Sequence, residues 1–261
     1  MRSAEAIAQV MALRAEGLGA RRIAARTNLP VSTVRDWLAG RLPSGWSANA
    51  GAAMHTCERC GHERHAFGEL PPQYLYLLGV YLGDGCISEH PRKVFRLRLF
   101  LDLEYPAIID ECETAIRLLA PRSKVYRLER RGNYTERAEA TNVELSAFSR
   151  IWPCLIPQHG PGKKHTRSVA LTEWQLELVE RDPRQLLRGL VHSDGCRFIN
   201  TGRNWVCPRY AFTNMSADIR QIFCDACDLL DLRYTFAGER NVYVSRKADV
   251  AFLDTFIGPK R

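Results

Sequence analysis

Residues 77–86 read LLGVYLGDGC and residues 187–196 read LRGLVHSDGC, two ten-residue stretches of one pattern within a chain of 261 residues. Gly79 matches Gly189, Gly83 matches Ser193, Asp84 matches Asp194, Gly85 matches Gly195 and Cys86 matches Cys196. Each stretch is an apolar helix that stops at an acid-glycine pair, so the chain carries an internal repeat. Glycine inside a helix costs about 1 kcal/mol relative to alanine, a loss that makes sense where another backbone passes close by. The natural partner of each copy is the other copy. Packing the Gly79/Gly83 edge on the Gly189/Ser193 edge brings Asp84 and Asp194 together at a shared C-terminal end. There the two carboxylates repel each other and face the negative poles of both helices, a placement that calls for a cation. Hard oxygen ligands suit Mg2+, which keeps several waters, activates one as a nucleophile and shields a phosphate.

The flanking sequence alternates. Residues 93–104, KVFRLRLFLDLE, put Phe95, Leu97, Leu99, Leu101 and Leu103 on one side of a strand and Arg96, Arg98 and Asp102 on the other. An amphipathic helix follows over 106–119, then two hairpin strands over 124–131 (KVYRLERR) and 139–146 (EATNVELS). The second half repeats the order, with a strand at 209–214, a helix at 216–230, a strand at 241–246, and 200–205 expected to loop outward after the motif. Taken alone, these strands fit a soluble sheet whose charges are merely hydrated. Between the halves lies His159–Arg167, HGPGKKHTR, a basic link containing Lys163 and Lys164.

The whole chain supports an anionic partner. Thirty-seven Lys and Arg against 29 Asp and Glu leave a net charge of +8, with 46% hydrophobic and 25% charged residues, as in an ordinary globular protein. Disorder and collagen are excluded. No apolar run reaches membrane-spanning length and the first thirty residues lack a signal-peptide core, so no membrane is expected and the protein is placed in the cytoplasm. Nine cysteines in a chain of this length fit reduced thiols with one metal site better than a bridged framework.

The N-terminal residues spell three short helices. Ile7, Val10, Met11 and Leu13 recur at helical spacing behind Ser3, and Gly17 and Gly19 mark the stop. Residues 20–27 give a second helix, Asn28-Leu29-Pro30 break it, and Ser32 is expected to cap a third containing Val34, Trp37 and Leu38 before Gly40. This pattern resembles the helix-turn-helix of resolvase-type and homeodomain-like DNA binders. The resemblance implies that Ser32, Thr33 and Arg35 face bases and that Arg21 and Arg22 reach phosphates. The alternative is a small helical cap filling its own core. A Gly/Ala/Ser-rich linker follows, and within it Cys57, Cys60, His62 and His65 have half of a zinc spacing, the basis for a structural Zn2+ knuckle as against a polar loop. Cys224 and Cys227 sit at helical spacing in an apolar run and read as buried thiols.

The paired motifs themselves are similar to those of the LAGLIDADG homing endonucleases in their single-chain, two-repeat form, over about residues 70–258. The resemblance implies an α+β fold of two αββαββα repeats about a pseudo-two-fold axis, with two antiparallel sheets forming a saddle on double-stranded DNA. Asp84 and Asp194 would hold the catalytic Mg2+, Lys163 or Lys164 would lie near the scissile phosphate, and Arg96, Arg98, Arg209 and Arg246 would contact DNA. Leu82 and His192 stand where the namesake motif has its first acid, and His192 would then be a general base or a structural histidine. The implied organisation is a helix-turn-helix over 1–40, a linker over 41–69, a first repeat over 70–158, an inter-repeat link over 159–183 and a second repeat over 184–261. A monomer with internal pseudo-symmetry is expected. Two functions fit: a metal-dependent, sequence-specific DNA endonuclease, or a DNA-binding transcriptional regulator that keeps the fold without cleavage.

Overall fold

A computed structural model describes residues 4–41, 69–130, 140–203, 205–258 and 260. The chain divides into two compact units, Met1–Phe67 and Gly68–Arg261. In the first, helices α1 (Ala4–Ala15), α2 (Ala20–Thr27) and α3 (Val31–Leu38) enclose Ile7, Val10, Leu13, Ile23, Val34 and Trp37. Gly17, at φ +85°, lets the chain leave α1, and Asn28, at φ +53°, closes α2 by donating its backbone N–H to the Ala24 carbonyl. Ser32 does not cap α3. Pro30 holds the N-cap position and Ser32 falls inside the first turn, because a proline at the helix entry ends the preceding extended segment before the serine is reached. The linker and the Cys57, Cys60, His62 and His65 cluster lie outside the described residues.

The second unit is built of two halves of like order. Helix α4 (Gln73–Asp84) is followed by strands β1 (Gly85–His90) and β2 (Val94–Asp102), helix α5 (Pro106–Leu119), strands β3 (Val125–Arg130) and β4 (Asn142–Ser149) and the short helix α6 (Trp152–Leu155). Helix α7 (Glu173–Arg181) then leads to α8 (Pro183–Asp194), β5 (Gly195–Gly202), β6 (Trp205–Thr213), α9 (Ala217–Asp228), β7 (Tyr234–Ala237), β8 (Asn241–Val244) and α10 (Lys247–Asp254). Each half is therefore αββαββα, and the antiparallel sheets have matching orders, β1-β2-β4-β3 and β5-β6-β8-β7.

Local sequence explains the main elements. On β2, Leu97, Leu99 and Leu101 are buried beneath α4 and α5, while Arg96, Arg98 and Phe100 alternate onto the outer face. Helix α5 starts with a proline at N1 and buries Ile108, Ile109, Cys112, Ala115, Ile116 and Leu119 at helical spacing. The expected strand at 139–146 begins later and runs to Ser149, since the alternating residues Val143, Leu145 and Ala147 carry the buried face through to that end. The loop expected over 200–205 is strand at both ends: Asn200, Thr201 and Gly202 pair with Cys207, Val206 and Trp205 in the β5–β6 hairpin. The inter-repeat link is also more than a tether: Thr172 and Gln175 form a capping box on α7, and Gln175 donates to the Tyr74 hydroxyl of α4 at 2.7 Å. Cys224 and Cys227 are free and buried on α9, whereas Cys154 is disulfide-bonded and so departs from a fully reduced set. Among the described residues no helix is long and apolar enough to cross a membrane.

The centre of the unit is the contact between α4 and α8. A Cβ added at Gly79 would fall 2.5 Å from the Leu186 carbonyl oxygen and 2.7 Å from the Leu190 nitrogen. One added at Gly189 would fall 3.0 Å from the Gly79 Cα and from the Val80 nitrogen. Backbone meets backbone here, and the two glycines are required for it. On the matching edge, Gly83 lies against the Ser193 side chain, whose hydroxyl donates to the Leu190 carbonyl at 3.0 Å.

Candidate functional site

Helices α4 and α8 end side by side, so Asp84 and Asp194 occupy the last position of each, and the chain continues directly from each aspartate into a strand. The carboxylate of Asp194 lies against the neighbouring helix: a Cβ on Gly83 would be 2.8 Å from its Oδ2. Burial first and the negative charge of Asp194 second raise the Asp84 carboxyl to about 7, against the pull of Lys260 and Lys164. Asp194 is also pushed above the usual carboxylate range by burial, opposed by the Asn214 side chain, which donates to its Oδ2 at 2.5 Å. Neither acid is balanced where it stands, and both face helix C-termini.

Two lysines answer this charge in matching ways. Lys164 Nζ donates to the carbonyls of Tyr81 at 2.6 Å and Gly83 at 3.2 Å, and lies 4.8 Å from the centre of the Tyr81 ring. Lys260 Nζ donates to the carbonyl of Ser193 at 3.1 Å. Gly83 and Ser193 are equivalent positions of the two motifs, so each motif helix ends on a lysine supplied by the chain that follows it. Burial lowers Lys164 to about 8, with both aspartates resisting the shift, and burial likewise lowers Lys260. Sequence reasoning reached Lys164 only as one of a pair and missed Lys260 and Asn214 altogether. A cavity of about 410 Å3 opens beside Asp194, lined among others by Gly83, Cys86, Lys163, Lys164 and Asn214.

His192 is not placed to act as a base. Its Nε2 donates to the Ile257 carbonyl at 3.2 Å and its Nδ1 accepts from the Tyr76 hydroxyl at 3.0 Å. Burial, helped by the Arg188 charge, holds the imidazole neutral, with its pKa lowered to about 4. Its place in the motif is structural, tying the segment that carries Lys260 to α8.

The sheet arginines carry a signature of their own. Arg96 and Arg98 on β2 and Arg209 on β6 are half-buried, and each has a buried Nε without a hydrogen-bond partner. Arg246 is separate from the sheets, at the N-cap of α10, with Asp249 3.9 Å away. In the first unit Arg21, Arg22, Ser32 and Arg35 are exposed and Thr33 is half-buried. Among the described residues no group of three or more His, Cys, Asp or Glu side chains is gathered for a metal, so the aspartate pair supplies two protein ligands at most.

No family profile matches the sequence, and no curated protein matches it. Solved structures similar in fold are LAGLIDADG proteins. The homing endonuclease I-WcaI bound to its DNA recognition sequence is 15% identical, over 74% of this chain and 84% of that one, with a TM-score of 0.48. The N-terminal LAGLIDADG domain of DUF199/WhiA is 12% identical over 75% and 85%, with a TM-score of 0.45. The LAGLIDADG meganuclease I-AabMI bound to uncleaved DNA is 13% identical over 70% and 84%, with a TM-score of 0.43. The two-repeat αββαββα topology and the glycine-lined helix contact are features of this chain itself.

Proposed function

We propose that the protein is a sequence-specific endonuclease of double-stranded DNA. The observation that carries this reading is the convergence of Asp84 and Asp194 at the joint end of α4 and α8, both pushed up by burial and flanked by Lys164 and Lys260. The donor set, two carboxylates with oxygen atoms only, fits a hard divalent cation such as Mg2+, which is expected to complete its coordination with water and substrate. Bound there, the cation would offset phosphate charge and make an attacking water more acidic.

This chain's own groups do the remaining work. Asn214 orients the Asp194 carboxylate, and Lys164 and Lys260 hold the ends of the motif helices while placing positive charge beside a strand of DNA. Lys163, on the wall of the same cavity, is a second lysine in reach of phosphate. Arg96, Arg98 and Arg209 lie on the sheets, and their charges with that of Arg246 attract the backbone. Helices α1–α3 act as a helix-turn-helix that adds contacts through Arg21, Arg22, Ser32, Thr33 and Arg35.

A second reading, a regulator that binds DNA without cutting it, is favoured by one detail: both lysines spend their donors on backbone carbonyls, as purely structural caps would. The experiment is selection of genomic fragments bound by the full chain, followed by incubation with Mg2+. The endonuclease reading predicts strand cleavage that Asp84→Asn or Asp194→Asn abolishes while affinity persists. Tight binding with no cleavage under any divalent cation would establish the regulator instead.

A further inference from the structure

The outer face of the first sheet is more apolar than a hydrated face should be. Strand register aligns Phe100 with Glu144 and Leu128 in one row, Arg98 with Ser146 and Tyr126 in the next, and Arg96 with Phe148 in the third. Phe100, Tyr126, Leu128 and Phe148 are 41%, 45%, 49% and 38% exposed. Four large apolar side chains on one face form a patch of the kind that marks a binding surface. The equivalent face of the second sheet differs. There, among the side chains described, Phe198 and Tyr243 are half-buried against each other, their rings 6.3 Å apart, Arg209, Thr213, Thr235 and Asn241 are polar, and Cys196, Cys207, Ala211 and Ala237 are small. The exposed Ile199, Val206 and Phe236 belong to the opposite face by strand register.

The patch is set in fixed positive charge. Glu144, 1% exposed at its centre, accepts from Arg96 Nη2 at 2.6 Å and from Arg130 Nη2 at 2.8 Å. Arg96 also donates to the Ser146 hydroxyl at 3.1 Å. The only acid in these rows is thereby neutralised and the guanidinium is locked. Cations also cover the rings: Arg96 lies 5.3 Å from the centre of Phe148, Arg98 5.8 Å from Phe100 and Lys124 5.1 Å from Tyr126. Ring faces occupied in this way are closed to the stacking of unpaired bases. What remains open are ring edges and the Leu128 methyls, interleaved with the charges of Arg96 and Arg98. Duplex DNA offers a single apolar group on the base edges of its major groove, the C5-methyl of thymine, beside phosphates and purine acceptors for the arginines.

Resting on the proposed duplex-DNA reading, we infer that the first sheet recognises thymine methyl groups in one half of the target, through Phe100, Tyr126, Leu128 and Phe148, while the second sheet reads its half by polar contacts. The two half-sites thus differ in chemistry as well as in sequence.

The test uses the full chain and a duplex selected by binding from a random pool. Thymines are replaced by deoxyuridine, which deletes the methyl and nothing else, one half at a time, and affinity is measured at fixed salt. Loss of about fourfold per contacted thymine is expected in one half, with no change in the other. In the Phe100→Ala, Leu128→Ala double variant, whose altered side chains are exposed, the uracil penalty in that half should shrink towards none. Uracil tolerated in both halves with binding intact, or an equal penalty in both, would overturn the inference and leave the duplex-DNA reading untouched. A preference for single strands, or a chain that selects no duplex at all, would overturn the duplex-DNA reading and this one with it.

Discussion

A methyl group added at Gly189 has no space to occupy. Its ideal position lies well inside contact distance of the Tyr76 carbonyl oxygen and 3.0 Å from the Gly79 Cα. Both obstacles are backbone, so no rotamer change relieves them, and α4 and α8 would have to part by several tenths of an ångström to about 1 Å. Overpacking of this kind costs about 1–3 kcal/mol, and more against rigid backbone, while alanine returns roughly 1 kcal/mol of helix propensity. A net loss of about 2–3 kcal/mol is expected for Gly189→Ala, which in a unit of this size lowers Tm by roughly 4–12 °C. Urea unfolding followed by far-UV circular dichroism, with calorimetry for Tm, measures it. Gly83→Ala supplies a graded comparison, because its added carbon would meet the Ser193 Cβ at 2.6 Å, and Ser193→Gly should recover part of that loss. A Gly189→Ala protein as stable as the wild type would refute the close helix contact on which the site depends.

Other expectations follow from the charges. The Asp84 carboxyl, at about 7 when folded against 3.8 when free, keeps a proton that the unfolded chain releases. Its contribution therefore makes stability fall as pH rises from about 4 to 7. Asp84→Asn should flatten that fall and stabilise the metal-free protein at pH 8 by up to about 4 kcal/mol, the full value of a three-unit shift; Mg2+ should then raise the Tm of the wild type and not of the variant. Lys164→Met removes the bonds to the Tyr81 and Gly83 carbonyls and should slow single-turnover cleavage by about 100-fold or more while changing affinity little. Arg98→Ala should weaken binding across sequences and lower the slope of log affinity against log salt by about one, read by anisotropy titrations.

The elements legible in the sequence were those whose burial is one-sided or complete. The motif helices, β2 and α5 carry their glycines or apolar residues at spacings that only one element satisfies, and the glycine edges fixed their pairing. Strands β1, β5 and β7 were not legible. GCRFINTG, on β5, has polar residues on both faces, so it lacks the alternation that betrays a half-buried strand, and the acid-glycine pair reads as a stop although Gly85 and Gly195 are extended and run straight on. The aspartates were legible because the repeat places them. Lys260 and Asn214 were not, because each reaches the site across the fold from a stretch with no motif; only the fact that both repeats need a cation at the same carbonyl would have pointed to a second lysine. The aromatic patch of the first sheet was invisible for a similar reason, since Phe100, Tyr126 and Phe148 meet only through strand register.

The claim beneath all of this is that α4 and α8 deliver two repelling carboxylates to one place. A double-mutant cycle measures that repulsion: unfolding free energies of the wild type, Asp84→Asn, Asp194→Asn and the double variant, in metal-free buffer at pH 8 and again at pH 5. Close acids predict that the two single gains together exceed the gain of the double variant by about 1 kcal/mol or more at pH 8, and that this excess fades at pH 5, where Asp84 is protonated. Gains that add within about 0.5 kcal/mol at pH 8 would place the carboxylates apart and contradict the account.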